Sequence, residues 1–184
     1  LKSPNLNASA VEIDFITALG RLLRDGDLRD AFAANPPAVA AQINLRRADW
    51  PAFLQLVPAD LEFQARILLR KRFELLQPLL PETARRLGEH FWPLFLEYAR
   101  TNWPDGPRAA LQDAGKFCAQ LKRQPASLVS TSEWNRLRFA LSERHLAVHF
   151  LVREDFRGKL RPQLQIFFRG YTLRWREFAF CLGL

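Results

Sequence analysis

The chain has 184 residues, 48% of them hydrophobic, which is enough for a real core, and no run of about 20 apolar residues reads as a membrane span. Its net charge of +8 suits nucleic acid, an anionic membrane or an acidic peptide and chooses among none of them. Cys118 and Cys181 each lack a second cysteine at metal or redox spacing, which excludes a disulfide scaffold and leaves free thiols in a reducing compartment.

The N-terminal LKSPNLNAS has no apolar stretch of the signal-peptide kind, so the expected location is cytoplasmic. Ser9 and Glu12 form a capping-box signature, followed by Val11, Phe15, Leu19 and Leu22 at helical spacing. Asp25-Gly26 closes that helix, and Asp27 is placed to cap a short one through Ala34. Pro36-Pro37 breaks the chain and opens another short helix to Ile43. Asp49-Trp50-Pro51 reads as a further helix start, with proline in the first turn.

The clearest helix begins near Pro58. Leu61, Ala65, Leu68 or Leu69, Phe73 and Leu76 make its apolar stripe, while Glu62, Arg66, Arg70 and Glu74 stand at four-residue steps suited to ion pairs. Pro78 ends it, Pro81 opens a helix to Leu87, and after Gly88 a helix follows from Glu89 to Arg100. There Phe91 or Trp92, Phe95 and Tyr98 or Ala99 are the inward candidates. The stretch 102–107 is a turn by composition. Pro107 leads a helix to Leu121 with Leu111, Ala114, Phe117, Cys118 and Leu121 on one face. Ser130 and Glu133 repeat the capping box before a helix whose apolar face is Trp134, Leu137 and Leu141.

At His145 the apolar period changes from helical to alternating, and His145 to Val152 reads as a strand. Arg153 to Pro162 reads as a charged loop. Leu164, Ile166 and Phe168, then Tyr171, Leu173 and Trp175, read as a hairpin about Arg169-Gly170, pairing Phe168 with Tyr171. The expected fold is therefore α+β. A mainly helical body over residues 1–143 precedes a three-stranded antiparallel sheet over 144–184. Leu164, Ile166 and Phe168 are expected to pack the sheet on the body. The opposite face, with Gln165, Phe167, Arg169, Thr172, Arg174 and Arg176, is expected to meet a peptide at an open edge. The eight Lys and Arg against three Asp and Glu after Glu143 favour an acidic peptide there.

Catalytic constellations are sparse in the sequence. The glycines are scattered, with no phosphate-binding loop. His145, His149 and Glu143 are too few for a metal site, which needs three or four ligands. Cys118, on an apolar helix face, reads as inert packing. No catalytic residue, metal or cofactor is expected in this chain. Arg66, Arg70, Lys71 and Arg72 are the densest basic cluster, either a solvated face or a contact for an acidic partner or phosphate. Trp92 and Trp103 are candidates for a partner interface. The rival reading is a helical DNA-binding or regulatory module using Thr131 to Leu141. Only Asn135, Arg136 and Arg138 could read bases there, which weighs against nucleic acid.

Three motifs carry a family likeness: the L-x-x-L-L-P run from Leu76 to Pro81, the R-x-L-G-x-x-F-W segment from Arg85 to Trp92, and the turn Trp103-Pro-Asp-Gly-Pro107. With SEWNRLRFAL at Ser132 to Leu141, they resemble the helical domain, commonly labelled DNA-binding, of partner proteins of multinuclear non-heme iron oxidative enzymes. Arg138 departs from the family's small or apolar residue. Within the family, the short length and the β segment look most like the partner subunits of methanobactin (copper-chelating peptide) pathways. The resemblance implies a non-catalytic subunit in a heterodimer with an MbnB-like iron oxidase. It implies that the iron lies in the partner. It also implies that this chain binds the leader of a precursor peptide and presents its cysteines for oxazolone and thioamide formation.

Overall fold

A computed structural model describes residues 11–123, 128–154, 159–169 and 175–181, with 153–154 and 175–181 as backbone. The chain falls into two compact units. One holds residues up to Lys71 with Ala99–Trp103, and the other holds Arg72–Tyr98 and Pro104 onward.

The first unit is a set of short helices stopped and started by local chemistry. They are α1 (Phe15–Arg24), α2 (Gly26–Ala34), α3 (Pro36–Gln42), a 3₁₀ turn (Arg47–Asp49) and α4 (Trp50–Leu54). Asp14, Asp25 and Asn35 each cap the next helix through a side-chain oxygen, accepting the backbone N–H of Thr17 (2.8 Å), Leu28 (3.0 Å) and Ala38 (3.2 Å). The first helix begins at Phe15 with Asp14 as its cap, so the start expected from Ser9 and Glu12 is corrected, as is the cap at Asp27. Ser9 lies outside the described residues, and Asp25 caps α2 while Asp27 lies in its first turn. Ala18, Leu22, Phe32, Val39, Phe53 and Leu61 fill the core of this unit, with Phe32 edge-on to Phe53. Glu62, expected to pair along its own helix, meets Arg29 at 3.1 Å.

The long helix α5 runs over Pro58–Leu76 and buries Leu61, Ala65, Leu69, Phe73 and Leu76, the expected stripe. In the second unit, apart from Ala99, follow α6 (Pro81–Leu87), α7 (Phe91–Ala99), α8 (Ala109–Leu121) and α9 (Thr131–Leu141). Gly88 separates α6 from α7 at φ 53°, a left-handed conformation that glycine adopts without a Cβ penalty. Phe73, Phe91, Phe95, Tyr98 and Phe117 form one aromatic cluster, with centroids 4.9–6.1 Å apart in the contacting pairs.

Strand β1 spans Leu146–Glu154 and β2 spans Leu160–Arg169, antiparallel, with Phe150 opposite Leu164 and Val148 opposite Ile166. The backbone segment β3 (Trp175–Cys181) pairs along the other side of β2. A mainly helical chain with a small C-terminal antiparallel sheet is thus what the sequence led one to expect. The register of the second hairpin is not. Phe168 stands opposite Arg176 and Arg169 opposite Trp175, so the two-residue turn at Arg169-Gly170 is replaced by a longer connection. Residues 170–174, with Thr172 and Arg174, lie outside the described residues. The charged loop expected through Pro162 is shorter as well, since β2 already begins at Leu160.

Candidate functional site

The two faces of the sheet are inverted relative to the expectation. Side chains alternate along a strand, so Gln163, Gln165 and Phe167 share one face of β2 and Leu164, Ile166 and Phe168 the other. The first set is buried. Phe167 is 0% exposed and stacks on Phe139 of α9 with centroids 5.2 Å apart. Gln165 donates to Ser132 Oγ at 2.9 Å and stands 3.5 Å from Asn135 Nδ2. These two residues, expected to face a peptide, instead fasten the sheet to α9. A buried polar side chain is tolerated when its partners are supplied, and α9 supplies them. Asn135 is spent on this contact, which removes one of the three groups a DNA reader would use.

Arg169 is also committed. Its Nη2 donates to the carbonyls of Phe139 (3.2 Å) and Ala140 (3.5 Å), in the last turn of α9, where the helix dipole is negative. For Arg176 the backbone lies in β3; its side chain is outside the described residues. Trp92 is half-buried against Phe73 and Phe95 at 5.0 and 6.0 Å. Trp103 is half-buried with the Arg24 guanidinium over its ring. Arg72 is drawn out of the basic cluster. It forms a bidentate pair with buried Asp113 at 2.7 and 3.0 Å, and Tyr98 donates its hydroxyl to the same carboxylate. Burial, then the Asp113 charge, pushes the Tyr98 phenol far above its usual range.

What the inversion leaves outside is apolar. Leu146, Val148, Phe150 and Val152 on β1, with Leu160 and Phe168 on β2, are exposed, Phe150 at 78%. They share the face of half-buried Leu164 and Ile166. A contiguous apolar patch of this kind marks an interaction surface more often than bare solvent contact.

The backbone phase of β1 adds a second feature. The N–H of Arg169 donates to the carbonyl of His145 at 2.8 Å, so that opposed pair is a hydrogen-bonded one. Antiparallel ladders alternate. The hydrogen-bonded pairs are therefore Ala147 with Phe167, His149 with Gln165 and Leu151 with Gln163. The N–H and C=O groups of Leu146, Val148, Phe150 and Val152 then point away from β2, along the edge of the sheet. Order in the sheet is β1-β2-β3, so β1 is an edge strand.

Beside that edge, on the inner face, lies a cleft of about 350 Å³ lined by Arg138, Leu141, Ser142, Arg144, Ala147 and His149. His149 packs edge-on to Phe167 at 5.9 Å. Burial, with the Arg138 and Arg144 charges, holds its imidazole below the usual range. Among the described residues, no three His, Cys, Asp or Glu side chains are grouped to hold a metal, and no helix is long and apolar enough to cross a membrane. Cys118 is buried, and its thiol is pushed up to about 12 by desolvation first and then by Glu133.

Residues 45–123, less than half of the chain, match the family described as SCO6045-like, C-terminal domain. That match contains the three motifs up to Pro107 that carry the resemblance noted above, and ends before Ser132–Leu141 and the sheet. No curated protein and no solved structure matches the chain.

Proposed function

We propose that this chain is the non-catalytic, substrate-recruiting subunit of an iron-dependent peptide-modifying oxidase. In this reading, the three-stranded sheet accepts the leader of a ribosomally made precursor peptide as an added strand on β1. The observation that carries it is the coincidence on β1 of outward backbone groups and outward apolar side chains. Strand addition takes its affinity from main-chain hydrogen bonds and its selectivity from alternate side chains, and β1 offers both. The exposed apolar face is suited to the partner subunit, which would supply the iron and the oxidative chemistry. The finer reading is an MbnC-like role in methanobactin formation, with the precursor's cysteines presented for conversion to oxazolone and thioamide groups. It rests on the sequence resemblance alone. The location that goes with it is cytoplasmic.

The test is affinity purification of the tagged chain from its native cell, with mass spectrometry and iron analysis of the eluate. A stoichiometric iron-containing enzyme is expected, with a small cysteine-bearing peptide. Nucleic acid in the eluate with no iron protein would overturn the proposal in favour of a DNA-binding module. The edge is tested separately by Val148→Pro. Because the Val148 N–H points away from β2, proline there leaves the β1–β2 ladder intact and removes only a group that an added strand would use. Loss of peptide binding in Val148→Pro but not Val148→Ala is expected; equal behaviour of the two would argue against strand addition.

A further inference from the structure

A strand added to β1 places every second side chain on the inner face of the sheet, level with Ala147 and His149. Those positions open on the cleft at the end of α9. The cleft carries two guanidiniums, Arg138 and Arg144, both on exposed residues, and neither has a carboxylate partner among the described residues. Arg138 instead lies 5.9 Å over the Trp134 ring. The negative end of the α9 dipole, equivalent to roughly half a charge, would disfavour an anion here. Arg169 already answers it by donating to the Phe139 and Ala140 carbonyls. The Arg138 and Arg144 charges are therefore surplus to the fold. The cleft floor is apolar and half-enclosed, with Phe139, Leu141 and Ala147, so a carboxylate entering it is partly desolvated and its pairing strengthened.

We propose that this cleft is a specificity pocket for one acidic side chain, Asp or Glu, of the strand-added peptide. The proposal rests on the strand-addition reading above. The residues on either side of the acid project onto the outer face beside Val148 and Phe150, so the recognised pattern is apolar–acidic–apolar. Backbone pairing holds the strand, and the acid sets its register, because a one-residue slip would turn the carboxylate onto the apolar face.

A displayed library of random ten-residue peptides, selected on the full chain, tests both layers. The wild-type chain is expected to enrich Asp or Glu at a single position flanked by apolar residues. The double variant Arg138→Glu/Arg144→Glu is expected to enrich Lys or Arg at that position. It is also expected to bind the wild-type-selected peptides about tenfold to hundredfold more weakly. Both arginines are on exposed positions, and an unchanged thermal midpoint checks that the fold survives. Enrichment with no preferred acidic position, or the same acidic preference in the double variant, overturns the pocket and leaves strand addition standing. Undiminished enrichment on Val148→Pro overturns strand addition, and with it the pocket. The absence of any enriched peptide on the wild-type chain overturns both.

Discussion

Glu133 shows how much one side chain can decide. It sits in the first turn of α9, 1% exposed, where the capping-box pattern predicts that its carboxylate returns to Ser130. Half of the box forms: Ser130 Oγ accepts the Glu133 N–H at 3.4 Å. The carboxylate instead crosses to α6, accepting the N–H of Glu82, the N–H of Thr83 at 2.9 Å and the Thr83 hydroxyl at 2.6 Å. Helix α6 begins with Pro81 and its N-cap, Leu80, supplies no side-chain acceptor, so Glu133 is the cap that α6 lacks. Glu133→Ala should cost about 3 kcal/mol in chemical denaturation, because it strands buried donors. A loss under about 1 kcal/mol would mean that water takes over the cap. Cys118, buried with a raised pKa, should resist thiol reagents in the native protein and react fully once denaturant is added. His149 has a folded-state pKa below its unfolded value near 6.5, so the unfolded chain binds the proton more readily. Its contribution to stability is complete above about pH 6.5 and is lost as pH falls below that toward the depressed folded value. Replacing it with Gln should flatten the stability–pH curve across that window. An unchanged curve would place the loss in other groups.

At the scale of elements, β2 is the sharpest case. Its two faces are both sequence-legible as sets, and the structure selects Gln163, Gln165 and Phe167 for the interior. Phe167→Ala should therefore cost about 3–5 kcal/mol and Phe168→Ala, on the exposed face, within about half a kcal/mol. Thermal or urea melts of the pair would read this directly, and the reverse order would restore the face assignment made from pattern alone. On helix α9 the expected face holds at Leu137, which is buried, and fails at Trp134. Trp134 is half-exposed between Lys122 and Arg138, while Asn135 and Phe139 go inward. The approach of α9 to α8 is close: a Cβ at Gly115 would stand 2.8 Å from Leu141 Cδ1, so a side chain there would force Leu141 to move.

For the molecule as a whole, the informative imbalance is that the helices bury their apolar stripes while β1 and β2, among the described residues, leave one apolar face exposed. Such a face beside an open edge is an aggregation hazard in an isolated chain and an asset in an assembly. Phe150→Ser, on the most exposed of the large apolar side chains of β1, should leave the thermal midpoint nearly unchanged and reduce co-purification of an iron partner. Full retention of that partner would move the subunit interface elsewhere. The net charge of +8 belongs at this scale too: it favours encounter with acidic peptides over the whole surface. In the proposed reading, register and side-chain choice are left to β1 and its cleft.

Helix limits were legible from the sequence because they depend on short-range chemistry. Pro58, Pro81 and Gly88 punctuate the chain where the sequence says they should, and α6 and α8 end at the expected residues, while α5 stops at Leu76, two residues before the expected Pro78. The stripe from Leu61 to Leu76, the change of period near His145 and the presence of a C-terminal antiparallel sheet were legible for the same reason. Which face of β2 lies inside was not. Alternation defines two faces but contains no information about what will cover them. Leu164, Ile166 and Phe168 form the more apolar set, yet α9 presents the Phe139 ring to Phe167 and Ser132 and Asn135 to Gln165. A face lined with matched hydrogen-bond partners accepts the glutamines, and the greasier face is left outward. Asp113, Glu133 and Arg169 were hidden in the same way, since each is satisfied by a residue that only the tertiary fold brings within reach.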